Sequence, residues 1–432
     1  MVPAGYRHKS VEVVGITMHV LMLTQNFPPE IGSGAAKMSE MACYLSEKGH
    51  QVSVVSQIPC YPPGVHYPGY EGAWFRRESR DGFRITRTWS FAPPSRDRFW
   101  PVFFNFTSFM TTAVAGILSG PRPDLIYVYS PPLFLGLTAT VAGKLWGCPF
   151  VFWVNDLYPR AALSLGYMQD NGVYRLACAM EKFIYRHAAR IFVYSRQMGD
   201  EVVADGADPA KIEVHPLWIA AEVFRPDPAG AAQVRQQYGW DGKFIVLYGG
   251  NIGLAQGLEV LLESAQRLLH VPEILFVLVG TGVEKARLMQ RANDAGLTNV
   301  AFIDHQPKEK IFAFFSAADL LFAHLKAAPH RIGTVPEKVL AYMACGRPVL
   351  LAVQEGAAAE IINTTGCGQV VPPETPAALA EAILASYQHR ERIDPMGIKA
   401  RQAAEDFYAG PIVLKGMEES LANLIKPCAP HG

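Results

Sequence analysis

The chain has 432 residues, which is too many for one hydrophobic core, so two domains of roughly 200 residues each are expected. Hydrophobic residues make up 50% of the chain, which is enough to build both cores. Lys and Arg together number 39, as do Asp and Glu, and the resulting zero net charge excludes a general electrostatic attraction to nucleic acid.

The cysteines favour a reducing compartment. Most of them lie in apolar surroundings and none belongs to a Cys-x-x-Cys pair, so buried thiols are expected in place of disulfides or a metal site. The seven are Cys43, Cys60, Cys148, Cys178, Cys345, Cys367 and Cys428. Residues 1–17 contain no sustained apolar segment, so we expect no signal peptide and a folded chain that begins at Met18.

Apolar segments alternate with helical patterns through the first half of the chain. Near-continuous apolar runs of this kind are typical of buried parallel strands. They predict strands at residues 19–25, 51–57, 83–89, 125–131, 150–156, 190–195 and 212–217. Helices are predicted between most of them, and in such folds ligands bind outside the carboxyl ends of the strands.

A glycine-containing loop follows the first strand. Gly32, Ser33 and Gly34 precede a helix that ends at Gly49, and glycines let the backbone approach an anion at a helix N-terminus. The two prolines of this loop, and the lack of an acidic residue after the second strand, argue against a nicotinamide cofactor. A phosphate-binding loop and a plain tight turn both explain the glycines.

The segment from Phe99 to Gly120 has no charge and follows Arg96 and Arg98. Its length could just span a bilayer, but Asn105 and several hydroxyl residues make it only moderately apolar. A helix that lies in the membrane interface, with aromatic anchors and basic flanks, is the favoured interpretation. The alternatives are a buried core helix and a true span.

Polar residues follow the apolar strand at residues 150–154. Asp156 stands at its carboxyl end, where it is a candidate for orienting a hydroxyl group or accepting its proton. Asn155 and Asp156 also fit a turn before Pro159. The sequence has no carboxylate pair typical of a glycosidase and no common hydrolase motif, and nothing in it demands a metal.

The alternation of strands and helices begins again after the Pro-rich segment 224–230, which marks the joint between two domains. Strands are predicted at residues 244–251, 274–280, 300–304, 320–325 and 348–353, each followed by a helix. Gly280 and Gly282 repeat the glycine pair of the first half. The predicted fold class is α/β, with two doubly wound domains in series.

Together these segments resemble glycosyltransferase family 4, and within it the bacterial surface-polysaccharide transferases of the fucosaminyl or colanic-acid type. The resemblance runs from about Met18 to the C-terminal helices, with its motifs in the same order. The residues that carry it are PPEIGSGAAK (28–37), SPPLFLG (130–136), WVNDLYP (153–159), YGGNIGLAQGLEVLL (248–262), VGTGVEK (279–285), FFSAADLLF (314–322) and YMACGRPV (342–349).

The resemblance implies the GT-B fold, in which two Rossmann-like domains face each other and a C-terminal helix crosses back to the first. It implies an acceptor domain at residues 18–221, a nucleotide-sugar domain at 222–405, and a helix and tail at 406–432 that pack on the acceptor domain. The implied activity is retaining transfer of a sugar from a UDP-linked donor, an amino or N-acetyl sugar, to a lipid-linked or glycan acceptor. The implied location is the cytoplasm, peripheral on the inner face of a bacterial membrane, without a cofactor.

The resemblance also implies the site residues. Donor contacts are expected from Gly250, Asn251, Gly253, Gly282, Lys326, Pro336, Glu337 and Lys338. Pro336 suits a first helical turn, Glu337 complements the positive helix end, and Lys338 can reach a diphosphate above it. An ordinary capped helix with a solvated Glu-Lys pair is the alternative. Asp156 is expected to face the reacting sugar or acceptor, with Gly32, Ser33 and Gly34 as an acceptor or phosphate loop.

The chain also departs from the wider family pattern. Two glutamates of that pattern are matched by Gly333 and Ala341, and an arginine and a lysine are matched by Asn251 and Gln256. These departures keep two alternatives open, a catalytically weak nucleotide-sugar-binding protein of the same fold and a GT-B sugar-nucleotide epimerase. A nicotinamide dehydrogenase is a more distant alternative.

Overall fold

The computed structural model of the chain describes residues 17–61, 64–94, 99–164, 168–328 and 331–425. Contacts divide these residues into two units. The N-terminal unit contains the described residues up to His215 and those from Leu414 on, and the C-terminal unit contains Pro216–Val413. Arg96, Arg98 and His330 lie outside the described residues.

Strands and helices alternate along the N-terminal unit. Its elements are β1 (His19–Leu23), α1 (Ser33–Glu47), β2 (Gln51–Gln57), β3 (Phe75–Arg80), β4 (Phe83–Thr88), α2 (Phe99–Leu118), β5 (Leu125–Ser130), α3 (Leu135–Trp146), β6 (Phe150–Val154), α4 (Arg160–Ser164), α5 (Gly172–His187), β7 (Arg190–Val193), α6 (Arg196–Ala204) and β8 (Ile212–Val214). Across the described residues they form one eight-stranded sheet in the order β3-β4-β2-β1-β5-β6-β7-β8.

Neighbouring strands of this sheet are parallel, except that β3 runs antiparallel to β4. The central strands β1 and β6 are entirely buried, as their apolar sequences predict. Strand β3 is not predicted by the apolar pattern, because its sequence FRRESR is mostly charged and exposed. Those residue types suit an edge strand that pairs on one side only.

The C-terminal unit repeats the alternation. Its elements are α7 (Pro228–Tyr238), β9 (Phe244–Gly249), α8 (Glu259–Arg267), β10 (Ile274–Val279), α9 (Lys285–Asp294), β11 (Val300–Ile303), α10 (Lys308–Ala317), β12 (Leu320–His324), α11 (Glu337–Ala344), β13 (Val349–Ala352), α12 (Ala357–Thr365), β14 (Gly368–Val371), α13 (Pro376–Gln388) and α14 (Ile393–Phe407). Its described strands form a six-stranded parallel sheet in the order β11-β10-β9-β12-β13-β14. Strand β14, GQVV, is too short and too polar at its start for the apolar pattern to predict it.

Polar side chains begin several of the helices. Asn171 accepts hydrogen bonds from two backbone amides at the start of α5, and Ser195 accepts one at the start of α6. Asp227 caps α7, where Pro228 occupies the first turn. These side chains satisfy N–H groups that have no partner within the helix, so they fix where each helix begins.

The last helix, α15 (Gly410–Ile425), begins in the C-terminal unit and continues into the N-terminal unit. Glu418 accepts a hydrogen bond from the Tyr44 hydroxyl at 2.8 Å and lies 2.9 Å from His50 Nε2. Ser420 Oγ lies 3.3 Å from His215 Nε2. The expected return of a C-terminal helix to the first domain is thereby confirmed.

The cysteines in the described residues are all free thiols. Cys60, Cys345 and Cys367 are buried, whereas Cys43, Cys148 and Cys178 are only partly buried. Burial raises the pKa of the Cys345 thiol to about 12 and that of Cys367 to about 11, which disfavours the reactive thiolate form. Cys428 lies outside the described residues.

Candidate functional site

The turn that follows β9 lies directly against the turn that follows β10. Gly280 has a φ of 151°, and a Cβ atom there would lie 1.9 Å from the carbonyl oxygen of Gly250. A Cβ atom on Gly282 would lie 2.2 Å from the carbonyl oxygen of Ile252. Backbones can pack this closely only where side chains are absent. The glycines therefore shape residues 250–257, which connect β9 to α8 and are called the β9–α8 loop below.

Helix α11 is fixed to the end of β9 by side chains one turn apart. The Tyr342 hydroxyl accepts a hydrogen bond from the Gly249 N–H at 2.9 Å and donates one to the Gly249 carbonyl at 3.1 Å. Lys338 Nζ donates to the Tyr248 hydroxyl at 2.6 Å and lies 3.9 Å from the centroid of that ring. The same hydroxyl donates to the Asn251 carbonyl at 2.6 Å, so Lys338 is connected to the β9–α8 loop.

Lys338 places a partly buried amine at the start of this loop. A Cβ atom on Gly250 would lie 3.1 Å from its Nζ. Burial lowers the pKa of the Lys338 amine to about 7. No carboxylate of the described residues lies within 4 Å of it. A bound anion would restore the charged form and relieve the cost of desolvation.

Two further cations contact the other end of the loop. A Cβ atom on Gly257 would lie 2.8 Å from Lys326 Cε, and the Lys326 N–H donates to the Ala255 carbonyl at 3.4 Å. Arg331 Nη1 donates to the Ala255 carbonyl of the loop at 3.5 Å and to the Lys326 carbonyl at 3.1 Å, and burial lowers the pKa of its guanidinium. Neither cation has a described carboxylate within 4 Å. The loop thus has Lys338 at its start and Lys326 and Arg331 at its end.

His324 supports this loop without a free ring nitrogen. Its Nδ1 lies 2.6 Å from the Gln256 carbonyl oxygen, and its Nε2 accepts a hydrogen bond from the Glu374 N–H at 3.3 Å. A neutral imidazole has one donor and one acceptor nitrogen, which these two partners match. Burial also favours the neutral ring, because it lowers the pKa of His324. The histidine is therefore structural.

The start of α11 differs in detail from the prediction. The helix begins at Glu337, and Pro336 is its N-cap residue, so the proline precedes the first turn. Glu337 lies in that first turn, where a negative charge complements the helix dipole. Gly333 and Ala341, which stand where the family pattern has glutamates, are both buried.

Asp156 lies in the N-terminal unit, directly after β6. The Asn155 N–H donates to the Ser130 carbonyl at 3.2 Å, and the Tyr194 hydroxyl donates to the Asn155 carbonyl at 3.3 Å. The backbone at Asn155 therefore holds the turn, while the exposed Asp156 carboxylate accepts no hydrogen bond from the described residues. Desolvation by the surrounding protein raises the pKa of Asp156 to about 6.

The loop with Gly32, Ser33 and Gly34 has a packing reason for its glycines. Gly32 is the N-cap residue of α1 with a φ of 145°, a conformation that side chains disfavour. A Cβ atom on Gly34 would lie 2.6 Å from the Tyr129 hydroxyl oxygen. These contacts support the plain-turn interpretation of both glycines, and binding at this loop stays a prediction.

Helix α2 has one face in the core and one outside it. Phe109 and Ile117 are fully buried, as is Asn105, whose side-chain amide donates to the Phe91 carbonyl at 2.7 Å and to Gln57 Oε1 at 3.1 Å. On the outer face, Trp100 is 64% exposed and Phe104 is 53% exposed.

The same helix is the one in the described residues that is long and apolar enough to cross a membrane by length and composition. Its mean hydropathy is 1.4 from Trp100 to Leu118, and 28% of that window is buried. A groove of about 390 Å³ lies beside it, lined by Trp89, Phe91, Phe104, Thr107, Ser108 and Thr111.

The geometry gives roles to residues that the sequence analysis did not name as site residues. Tyr248 and Tyr342 each begin a motif of the family resemblance, which assigns them no role, and their hydroxyls connect α11 to β9. Arg331 borders the predicted site in sequence, and only the structure shows that none of the described carboxylates lies within 4 Å of it. Among the described residues, no group of three His, Cys, Asp or Glu side chains could hold a metal ion.

Two protein families match the chain. The glycosyl transferase 4-like domain matches residues 33–218, and the glycosyl transferases group 1 domain matches residues 231–403. The two matches correspond to the two sheets described above.

Individual proteins are similar over most or part of the chain. WcaI of Escherichia coli K12, named as a colanic acid biosynthesis glycosyl transferase, is 28% identical over 400 residues, which cover 90% of this chain and 96% of WcaI. WbjE of Pseudomonas aeruginosa, named as a glycosyltransferase, is 28% identical over 270 residues, 62% of this chain and 64% of WbjE. The solved structure of HepE from Anabaena in complex with UDP has a TM-score of 0.72 at 17% identity, covering 94% of this chain and all 100% of HepE. The predicted GT-B fold is confirmed.

Proposed function

Because this chain belongs to the glycosyltransferases that join a 4-like domain to a group 1 domain, we propose that it transfers a sugar from a UDP-linked donor to a lipid-linked acceptor in bacterial surface polysaccharide synthesis. The name of WcaI refers to colanic acid biosynthesis, and HepE was solved with UDP and with UDP-glucose. Both support the proposal, and an amino or N-acetyl sugar is the donor we expect.

The three cations around the β9–α8 loop carry this proposal. Transfer from a nucleotide sugar develops negative charge on the departing diphosphate, and fixed positive groups in a partly dry site stabilise that charge. Lys338, Lys326 and Arg331 contact one loop without a described carboxylate within 4 Å. The backbone amides at Asn251 and Gly253 are further donors toward the same anion. We propose that these groups hold the diphosphate of the donor.

Asp156 is proposed to act on the acceptor. A general base works best when its pKa lies near the working pH, and the pKa of Asp156 is raised to about 6. At neutral pH its carboxylate is mostly ionised and can orient the acceptor hydroxyl or take up its proton. Retention of configuration at the anomeric carbon is carried over from the family.

A peripheral position on the inner face of the cell membrane is proposed for the enzyme. A lipid-linked acceptor remains in the bilayer, so the enzyme must approach the surface to reach it. The exposed aromatic face of α2, with Trp100 and Phe104, is suited to the interface between lipid and water.

Calorimetric titration of the purified protein with UDP, GDP and NADH, each separately, tests the proposed donor. We expect saturable binding of UDP and none of NADH. Binding of GDP alone would change the donor class, and binding of NADH would contradict the proposal. Failure of all three to bind would favour a protein of this fold with weak or lost nucleotide affinity.

A further inference from the structure

We propose that Gln354 is a positioning residue for donor binding, because its side chain holds the backbone that carries Lys326 and Arg331. That backbone follows β12, comprises residues 325–328 with 331 and 332, and is called the cation segment below. The inference rests on the proposed binding of the donor diphosphate. It adds to that site a residue that acts through its neighbours and not by contact with the donor.

The Gln354 side chain makes two hydrogen bonds to a single residue of the cation segment. Its Oε1 accepts from the Ala328 N–H at 3.2 Å, and its Nε2 donates to the Ala328 carbonyl at 2.7 Å. A side-chain amide carries an acceptor and donors side by side, so it can pair with both backbone groups of one residue as a neighbouring strand would. The two bonds therefore fix the orientation of the Ala328 backbone as well as its position.

Gln354 is itself held at the end of the sheet. It follows β13, and the Val353 N–H donates to the Val371 carbonyl at 3.2 Å, which extends the pairing of β13 with β14 by one residue. The cation segment follows the neighbouring strand β12, where the Leu325 N–H donates to the Ala352 carbonyl at 3.2 Å. The side chain of Gln354 therefore connects two backbones that leave adjacent strands at the same edge of the sheet.

A second contact from the same stretch holds the far end of the cation segment. The Ala357 N–H donates to the Ile332 carbonyl at 2.8 Å. A Cβ atom on Gly356 would lie 2.2 Å from the same carbonyl oxygen, so this close approach depends on a glycine. Residues 354–357 thus hold the segment both before and after Arg331.

The positions of both cations depend on this backbone. Arg331 donates to the Ala255 and Lys326 carbonyls, and Lys326 contacts the β9–α8 loop through its own N–H. No described carboxylate lies within 4 Å of either cation, so no ion pair fixes them. A shift of the Ala328 backbone would move both charges relative to the loop, and an electrostatic site weakens when its charges leave their preorganised positions.

The Gln354 amide also holds the segment without adding a negative charge beside its cations. A carboxylate could accept from the Ala328 N–H but could not donate to the Ala328 carbonyl, and it would compete with a diphosphate for the two cations. The neighbouring Glu374 reaches the segment only at the Ala327 N–H, which lies 3.4 Å from its Oε2. A neutral amide therefore suits this position better than an acid does.

Titration of the full-length protein with UDP, followed by ligand-observed NMR so that weak affinities can be measured, tests the inference. Gln354→Met keeps the length of the side chain and removes both hydrogen bonds, whereas Gln354→Glu keeps one acceptor and adds a charge. Gln354→Met is measured in three backgrounds: wild type, Lys326→Ala with Arg331→Ala, and Lys338→Ala. Gln369→Ala is the matched control, because Gln369 is also partly buried in this sheet and its amide also donates a hydrogen bond. Circular dichroism establishes that each variant is folded.

We expect Gln354→Met to bind UDP about tenfold more weakly than the wild type does, and Gln354→Glu to bind it more weakly still. In the background without Lys326 and Arg331, Gln354→Met should change the affinity less than about twofold, because it acts only through these cations. In the Lys338→Ala background the full loss should remain. Gln369→Ala should bind UDP as the wild type does.

A folded Gln354→Met that binds UDP with wild-type affinity would overturn the inference. An equal loss in all three backgrounds would also overturn it, since that result indicates a general structural role. If removal of Lys326 and Arg331 left the affinity unchanged, the inference would fall together with the proposed role of these two cations. If the wild type bound no UDP, the proposed donor itself would fall, so the failure of the function and that of the inference are distinguishable.

Discussion

Lys338 is the side chain that we propose supplies the charge that a familiar motif lacks here. The wider family has an arginine and a lysine where this chain has Asn251 and Gln256. Here a cation reaches the same loop from α11, held by the Tyr248 hydroxyl at 2.6 Å. In this proposal the charge comes from α11, and the Tyr248 hydroxyl holds the Lys338 amine beside Gly250.

The lowered pKa of Lys338 predicts a pH-dependent affinity for UDP. The diphosphate favours the protonated amine, and the pKa of that amine is about 7 in the free protein. Affinity should therefore be highest below pH 7 and fall as pH rises above it, by at most about tenfold per pH unit. Titration calorimetry between pH 6 and 9 measures the change.

Lys338→Ala is the control for that experiment, since UDP itself titrates in the same range. We expect the variant to bind UDP at least about tenfold more weakly at pH 6.5. Above pH 7 its affinity for UDP should change only as far as the titration of UDP itself requires. Parallel pH profiles in the variant and the wild type would remove Lys338 from the donor site.

Asp156→Asn should reduce turnover without changing donor affinity. The amide cannot take up a proton, and removing a general base costs about a hundredfold or more in rate. Steady-state kinetics with UDP-sugar and acceptor, beside UDP titration, separate the two effects. Asp200→Asn, on the exposed side of α6, is the matched control. If Asp156→Asn turned over at the wild-type rate, Asp156 would have only a structural role in the turn after β6.

Helices and strands differ in how far their sequences predict them. The buried strands of both sheets follow from their apolar runs, because burial on both faces leaves a continuous signal. The edge strand β3 carries no such signal because it is mostly charged and exposed, and β14 carries none because it has only two apolar side chains in four residues. For α2 the sequence leaves open a membrane or a core location, and the structure shows one buried face and one exposed face.

Asn105 explains part of that ambiguity, because it is a polar residue on the buried face of α2. Its side chain bonds Gln57 and the Phe91 carbonyl, and its Oδ1 accepts from Gln25 Nε2 at 2.5 Å. Asn105→Ala would remove these three hydrogen bonds, while Gln25 Nε2 and Ser90 Oγ would still donate to Gln57 Oε1, so we expect a loss of about 1–3 kcal/mol in the unfolding free energy of the N-terminal unit.

Denaturant unfolding followed by hydrogen exchange measures this loss in α2 and the adjacent strands. Thr111→Ala, on the exposed face of the same helix, is the control and should cost less than about 0.5 kcal/mol. If the two variants were equally stable, the buried hydrogen bonds of Asn105 would contribute nothing net.

At the scale of the whole molecule, the fold follows from the order of the motifs, whereas the site follows only in part. Two sheets, the joint between them and the returning helix are all expected from the sequence, and the GT-B fold is confirmed. Gly250, Gly282 and Lys338 do come together in the C-terminal unit. The roles of Tyr248 and Arg331 could not be predicted, because they depend on which neighbours a side chain lacks or gains in three dimensions.

The return of α15 predicts a long-range stabilisation of the N-terminal unit. Glu418 joins Tyr44 and His50, more than 360 positions away in sequence. Glu418→Ala would leave both partners without their carboxylate, so we expect about 1–3 kcal/mol lower protection from hydrogen exchange in α1. Protection in α9 of the C-terminal unit should stay unchanged in this variant. In the control Glu381→Ala, protection of α1 should equal that of the wild type. Equal protection of α1 in both variants would contradict this account.

The same helix has a consequence for biosynthesis. The ribosome delivers β1 first, yet the contacts that complete its unit depend on Glu418 and Ser420, near the far end of the chain. The C-terminal unit is continuous from Pro216 to Val413, so it can fold during translation as soon as Val413 has been made. The N-terminal unit, although made earlier, lacks its last helix until α15 has been synthesised. The half of the enzyme that is made first is the half that is finished last.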